Sequence, residues 1–116
     1  MQYISFFTAT ILNWKHLLLD DRYKDIIISS MKFLVKEKRV VIYAFVIMPN
    51  HIHLVWKIAK DRKKEDVQRD FLKYTAQKMK LKLKDEDPDK LKLFYAGAKD
   101  REYQFWERKP LTSRLP

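Results

Sequence analysis

The sequence predicts an α+β domain: a ferredoxin-like, split β-α-β antiparallel sheet with its helices on one face. Three observations predict it. Runs of β-branched and aromatic residues alternate with amphipathic stretches of helical length, in the order β-α-β-β-α-(α)-β. Two of the runs are separated only by Pro49-Asn50, a turn pair that makes them an antiparallel hairpin. The 116 residues suffice for one core and too little for two, with no linker between, so residues 1–116 are expected to be one domain.

Taken in order, Tyr3 to Leu12 (YISFFTATIL) reads as the first strand. Asp20-Asp21 can cap a helix, and Tyr23, Ile26, Ile27, Met31, Phe33 and Leu34 follow at roughly helical spacing, predicting a helix from Asp21 to Lys38. Its end in the basic run KEKR complements the helix dipole. Arg39 to Met48 is the second strand and His51 to Ile58 the third. A second helix is predicted from Lys63 to about Leu83, with Val67, Phe71, Tyr74 and either Thr75 or Lys78 on its inner stripe. Pro88 breaks it, and a short helix runs from Asp89 to Phe94. Arg101 to Trp106 (REYQFW) is the candidate fourth strand, and ERKPLTSRLP trails off with two prolines.

Composition excludes several classes of function. Gly97 is the sole glycine, which argues against a phosphate-cradling loop or a dinucleotide fingerprint. The absence of cysteine removes disulfides and thiolate metal sites. No run approaches the roughly 18 apolar residues of a membrane span, and the start lacks the basic region and cleavage site of a signal peptide; a cytoplasmic protein is expected. Lysine and arginine number 25 against 15 acids, a formal charge of +10, which points to an anionic partner, nucleic acid first. The candidate phosphate contacts are Lys57, Lys60, Arg62, Lys63 and Lys64 after the third strand, Lys73 on the second helix, and Arg108 beside Trp106. Phe105 and Trp106 either stack on bases or fill the core.

The chemistry concentrates in FVIMPNHIHLVW, Phe45 to Trp56. Residues i and i+2 of a strand share a face and lie about 6.5–7 Å apart, so His51 and His53 project side by side while Ile52 and Leu54 point to the other face. Two such imidazoles can ligate one metal ion. Imidazole favours manganese or zinc; magnesium is compatible if phosphate oxygens and water complete its shell. Two ligands alone do not make a stable site. His16, the remaining histidine, reads as a surface residue.

The string VIMPNHIHLVW resembles the signature of the IS200-like, REP-associated tyrosine transposases of the HUH single-strand nuclease superfamily. The opening FFTAT and the downstream REYQFWERKPLTSRL are similar to segments of the same family, and the resemblance spans nearly the whole chain. It implies that His51 and His53 match the pair holding a divalent ion, Mg2+ or Mn2+. It further implies that a tyrosine attacks a phosphodiester of hairpin-bearing single-stranded DNA through a phosphotyrosine intermediate. The family's tyrosine lies in a later helix, in a segment like Tyr-Ile-His-x-Asn-Pro-Val, which in many relatives also supplies a third ligand. This sequence stops at Pro116 before such a segment, so a member truncated at its C-terminus and impaired in cleavage is expected. Tyr74, in FLKYTAQK, is the candidate substitute nucleophile, with core packing as its competing role; Tyr43, Tyr95 and Tyr103 are weaker candidates. Relatives include monomers and dimers, so a homodimer is an open expectation. Three functions follow: a metal-dependent DNA endonuclease and strand transferase, a non-catalytic nucleic-acid-binding module, or a phosphodiesterase on small nucleotides. The last is weakest, because such enzymes need a second histidine motif.

Overall fold

Alternation along the third strand sets the layers. The computed structural model describes residues 3–114. It contains β1 (Ile4–Thr10), α1 (Asp21–Lys36), β2 (Val40–Met48), β3 (His51–Ile58), α2 (Lys64–Glu86), α3 (Pro88–Leu91), β4 (Tyr95–Ala98), β5 (Arg101–Tyr103) and β6 (Leu111–Arg114). On β3, Ile52, Leu54, Trp56 and Ile58 are buried, and His51, His53, Val55 and Lys57 fall on the opposite face. The buried set joins Phe7 and Ala9 of β1 with Tyr23, Ile27, Met31 and Leu34 of α1 and Val67, Phe71, Met79 and Leu83 of α2 in one core. At its centre Trp56 stacks on Phe7 at 5.2 Å, and Phe71 of α2 meets both rings edge-on. Both long helices therefore cover the same face of the sheet, and the other face is open.

The main sheet has the order β2-β3-β1-β6, and every adjacent pair is antiparallel. With β6 as the fourth strand, this is the order of a split β-α-β sheet: β1 and β2 flank β3 and α1 crosses between them. The Pro49-Asn50 turn closes β2 onto β3 as expected, pairing Met48 with His51.

Asp20 caps α1, its carboxylate accepting from the Arg22 N–H at 2.9 Å. The helix stops at Lys36, two residues short of the expected end, because Lys38 turns left-handed (φ 56°). Its N–H then donates to the Val35 carbonyl and that of Arg39 to Leu34, the paired bonds that finish a helix at such a residue. α2 runs on to Glu86, and α3 begins at Pro88, in the first-turn position where a missing N–H costs nothing.

The fourth strand departs from expectation. Arg101–Tyr103 pairs with Tyr95–Ala98 in a separate two-stranded hairpin, and the main sheet is completed by Leu111–Arg114, within the segment read as a tail. Phe105 and Trp106 leave the hairpin and enter the core, at 2% and 6% exposure. The inner stripe of α2 is Val67, Phe71, Thr75, Met79 and Leu83, and Tyr74 flanks it, half exposed against Phe33 of α1. The choice left between Thr75 and Lys78 falls to Thr75, whose hydroxyl donates to backbone carbonyls one turn back and accepts from Trp106 Nε1 at 3.0 Å. The chain end at Pro116 lies outside the described residues.

Candidate metal and nucleic-acid site

β3 begins at His51 because Pro49-Asn50 has just reversed the chain, so both imidazoles stand at one end of the sheet on its open face. Their ring centroids are 4.7 Å apart and the rings lie nearly perpendicular, at 86°. Each ring has a partner at Nδ1. His51 Nδ1 lies 2.6 Å from Asn50 Oδ1, and His53 Nδ1 lies 2.9 Å from Thr8 Oγ1, on the paired residue of β1. With the protons on Nδ1, donated to these two oxygens, each Nε2 keeps a lone pair and has no hydrogen-bond partner among the described residues. Such outer contacts fix the tautomer and aim of a metal-binding histidine.

Burial, and secondarily the charge of His53, holds the His51 imidazole below its ordinary 6.5, in the neutral form that ligates. The donor set thus fits a divalent ion of borderline character with two protein nitrogens. Among the described residues no group of three or more histidine, cysteine or carboxylate side chains is placed to hold a metal. Further positions on an ion would fall to solvent, substrate oxygens or groups beyond these residues.

The seven candidate phosphate contacts do not form one patch. Lys57 shares the open face with the histidines, but four residues beyond His53, about 13 Å along the strand. Lys60, Arg62, Lys63 and Lys64 are exposed at the β3–α2 junction, the far end of the sheet from His51. Lys73 and Arg108 meet elsewhere, lining a groove of about 600 Å³ between α2 and the segment around Trp106, together with Arg69, Lys80, Arg101 and Lys109. None of the seven forms an ion pair among the described residues, whereas Arg69 and Arg101 do. Arg108 lies nearest the histidine end: the preceding N–H, of Glu107, donates to the Thr10 carbonyl at 2.7 Å, and Thr10 pairs with His51.

Among the described residues no tyrosine lies beside the two imidazoles. Tyr74 sits on the helical layer, so the sheet separates it from the imidazoles; its substitute role is corrected to packing against Phe33 and Lys78. Tyr23 is in the core, Tyr3 and Tyr43 lie toward the far end of the sheet, and Tyr95 packs on Tyr103 in the separate hairpin. His16 is exposed, as expected. Thr8 was not singled out from sequence, since only the β1–β3 register brings it to His53; Asn50 carried a signal, a polar turn residue directly before a histidine.

Among the described residues no helix is long and apolar enough to cross a membrane. No protein-family model matches the sequence, and no curated protein matches it. Solved structures do. The chain superposes over 98% of its length on a REP-associated tyrosine transposase bound to a REP hairpin, with TM-score 0.66 and 17% identity. It spans 56% of that protein. A candidate transposase from Deinococcus radiodurans R1 is matched over the whole of this chain and 79% of its own, with TM-score 0.68 and 17% identity. The chain has the α+β fold of these two transposases.

Proposed function

We propose that the chain is a transposase-type domain that binds hairpin-bearing or single-stranded DNA and presents one phosphodiester to a divalent ion, Mg2+ or Mn2+, held by His51 and His53. The observation that carries this is the pair of Nε2 atoms left free by the Asn50 and Thr8 contacts. The ion would supply Lewis acidity at the phosphate. His51 and His53 set its position, Thr8 and Asn50 set theirs, and Arg108, nearest the histidine end, engages the backbone. In the full reaction a tyrosine hydroxyl attacks phosphorus, the phosphotyrosine bond forms, and the 3′-oxygen leaves and takes up a proton. No described tyrosine stands where it can do this, so the attacking residue must come from elsewhere.

A second reading, a module that binds DNA without cutting it, is favoured by that same shortfall and by the two-ligand count. A labelled hairpin with a single-stranded flank, incubated with the protein and Mn2+, separates the two. A covalent adduct lost in His51→Ala supports the nuclease, and binding with no adduct supports the module. Failure to bind DNA defeats both.

Self-association belongs to this proposal. β2 is an edge strand with no charge from Val40 to Met48, and it exposes Val41, Tyr43, Phe45, Val46 and Met48. An antiparallel edge is self-complementary about a two-fold axis, so a second copy is its proposed partner. Light scattering should then report a dimer that Val41→Lys with Tyr43→Lys converts to monomer; a monomeric wild type at high concentration would refute it.

A further inference from the structure

Of the three tryptophans, Trp56 and Trp106 are buried and Trp14 is 63% exposed. Its exposure is built in. Asn13 and Trp14 are both left-handed, with φ of 55° and 59°, a conformation that consecutive non-glycine residues rarely adopt and that needs outside support. The support is visible. Asn13 N–H donates to Glu107 Oε1 at 2.7 Å, and Trp14 N–H donates to the Ile11 carbonyl at 2.9 Å. The loop is pinned at both ends to the turn that carries His51, because Ile11 N–H donates to the Asn50 carbonyl and Leu18 N–H to that of Pro49. A large apolar ring is thus held in water, on a strained and braced loop, at the histidine end of the sheet.

We propose that Trp14 is a platform on which one unpaired base of a nucleic-acid strand stacks, with Arg108 holding an adjoining phosphate. The proposal rests on the nucleic-acid reading above and deepens it. Glu107 ties the two residues together, since its carboxylate braces the Trp14 loop and Arg108 is its neighbour in sequence. Arg108 is exposed and has no ion pair among the described residues, while Lys15 next to Trp14 leans over the Phe94 ring at 5.8 Å. An exposed indole face, on a chain of net charge +10, fits a base and its phosphate better than an apolar protein surface. Every base has a π-face, so the platform reads strandedness and not sequence.

The test is fluorescence anisotropy with a labelled DNA hairpin bearing a single-stranded flank, without metal. Trp14→Ala should weaken binding about tenfold, and Trp14→Phe by much less. Neither should change the melting temperature appreciably. An abasic nucleotide at one flank position should reproduce the loss, and at that position Trp14→Ala should cost nothing more. Arg108→Ala should lower the salt slope by about 0.7, the share of one single-strand phosphate, and Trp14→Ala should leave that slope alone. Wild-type affinity in a folded Trp14→Ala protein, or no abasic position that couples to it, overturns the platform while the DNA-binding reading stands. If no oligonucleotide binds at all, both fall.

Discussion

Replacing Thr8 by valine removes one atom that matters. The Thr8 hydroxyl lies 2.9 Å from His53 Nδ1, and this is the ring's one hydrogen bond among the described residues. Valine keeps the β-branched shape and the strand propensity, and Thr8 is only partly buried, so the fold should lose or gain no more than about 0.5 kcal/mol. What changes is aim. Without the contact the imidazole is free to turn about its terminal torsion, and its Nε2 loses its fixed aim beside the His51 ring, 4.7 Å away between centroids. Loss of such an outer contact costs about 10- to 100-fold in metal affinity, or about 1.4–2.7 kcal/mol. Mn2+ titration followed by electron paramagnetic resonance should show that weakening in Thr8→Val, beside a melting temperature within about 2 °C of wild type. Two results would refute the reasoning: unchanged Mn2+ affinity in Thr8→Val, or wild-type affinity in His51→Ala, which would place the ion elsewhere.

Three further outcomes are expected. Thr75→Val leaves the buried Trp106 N–H without its acceptor; at about 1–3 kcal/mol for such a group, a domain this size should melt roughly 4–12 °C lower, and a shift under 1 °C would contradict the contact. Lys38→Gly relieves the left-handed residue ending α1 and should stabilise the fold by about 0.5–1 kcal/mol in a urea titration, unfolded-chain entropy limiting the gain. The His51 imidazole is depressed in the folded state, so it protonates more readily in the unfolded chain as pH falls below 6.5. Its contribution to stability is therefore present above 6.5 and lost on acidification toward the depressed value. His51→Gln should flatten melting temperature against pH as pH falls below 6.5, and an unaltered slope would count against the assignment.

Much of the site was legible because strand parity is strict. Pro49-Asn50 locates the turn, and the alternation of Ile52, Leu54 and Trp56 with His51 and His53 assigns the faces without any tertiary information. The α1 cap at Asp20 is equally local. What escaped depends on partners distant in sequence. β6 is four residues long, follows a proline, and needs only one neighbour, Ser5 to Thr8, to exist. Thr75 takes the buried place because Trp106, 31 residues on, meets its hydroxyl; a hydrophobicity pattern leaves Thr75 and Lys78 as alternatives and adds Tyr74 to the stripe. The scattering of the basic residues is likewise a property of topology, since Lys64 and Lys73 stand nine apart on one helix yet serve opposite regions of the surface.

The contact between Thr8 and His53 closes a loop of 45 residues. The two rings are neighbours in the unfolded chain, but the bond that aims one of them arises only when β1 has docked. A bound ion should therefore report the long-range β1–β3 pairing of the sheet. Added during refolding, it should slow unfolding without hastening the earlier, local formation of the β2–β3 hairpin.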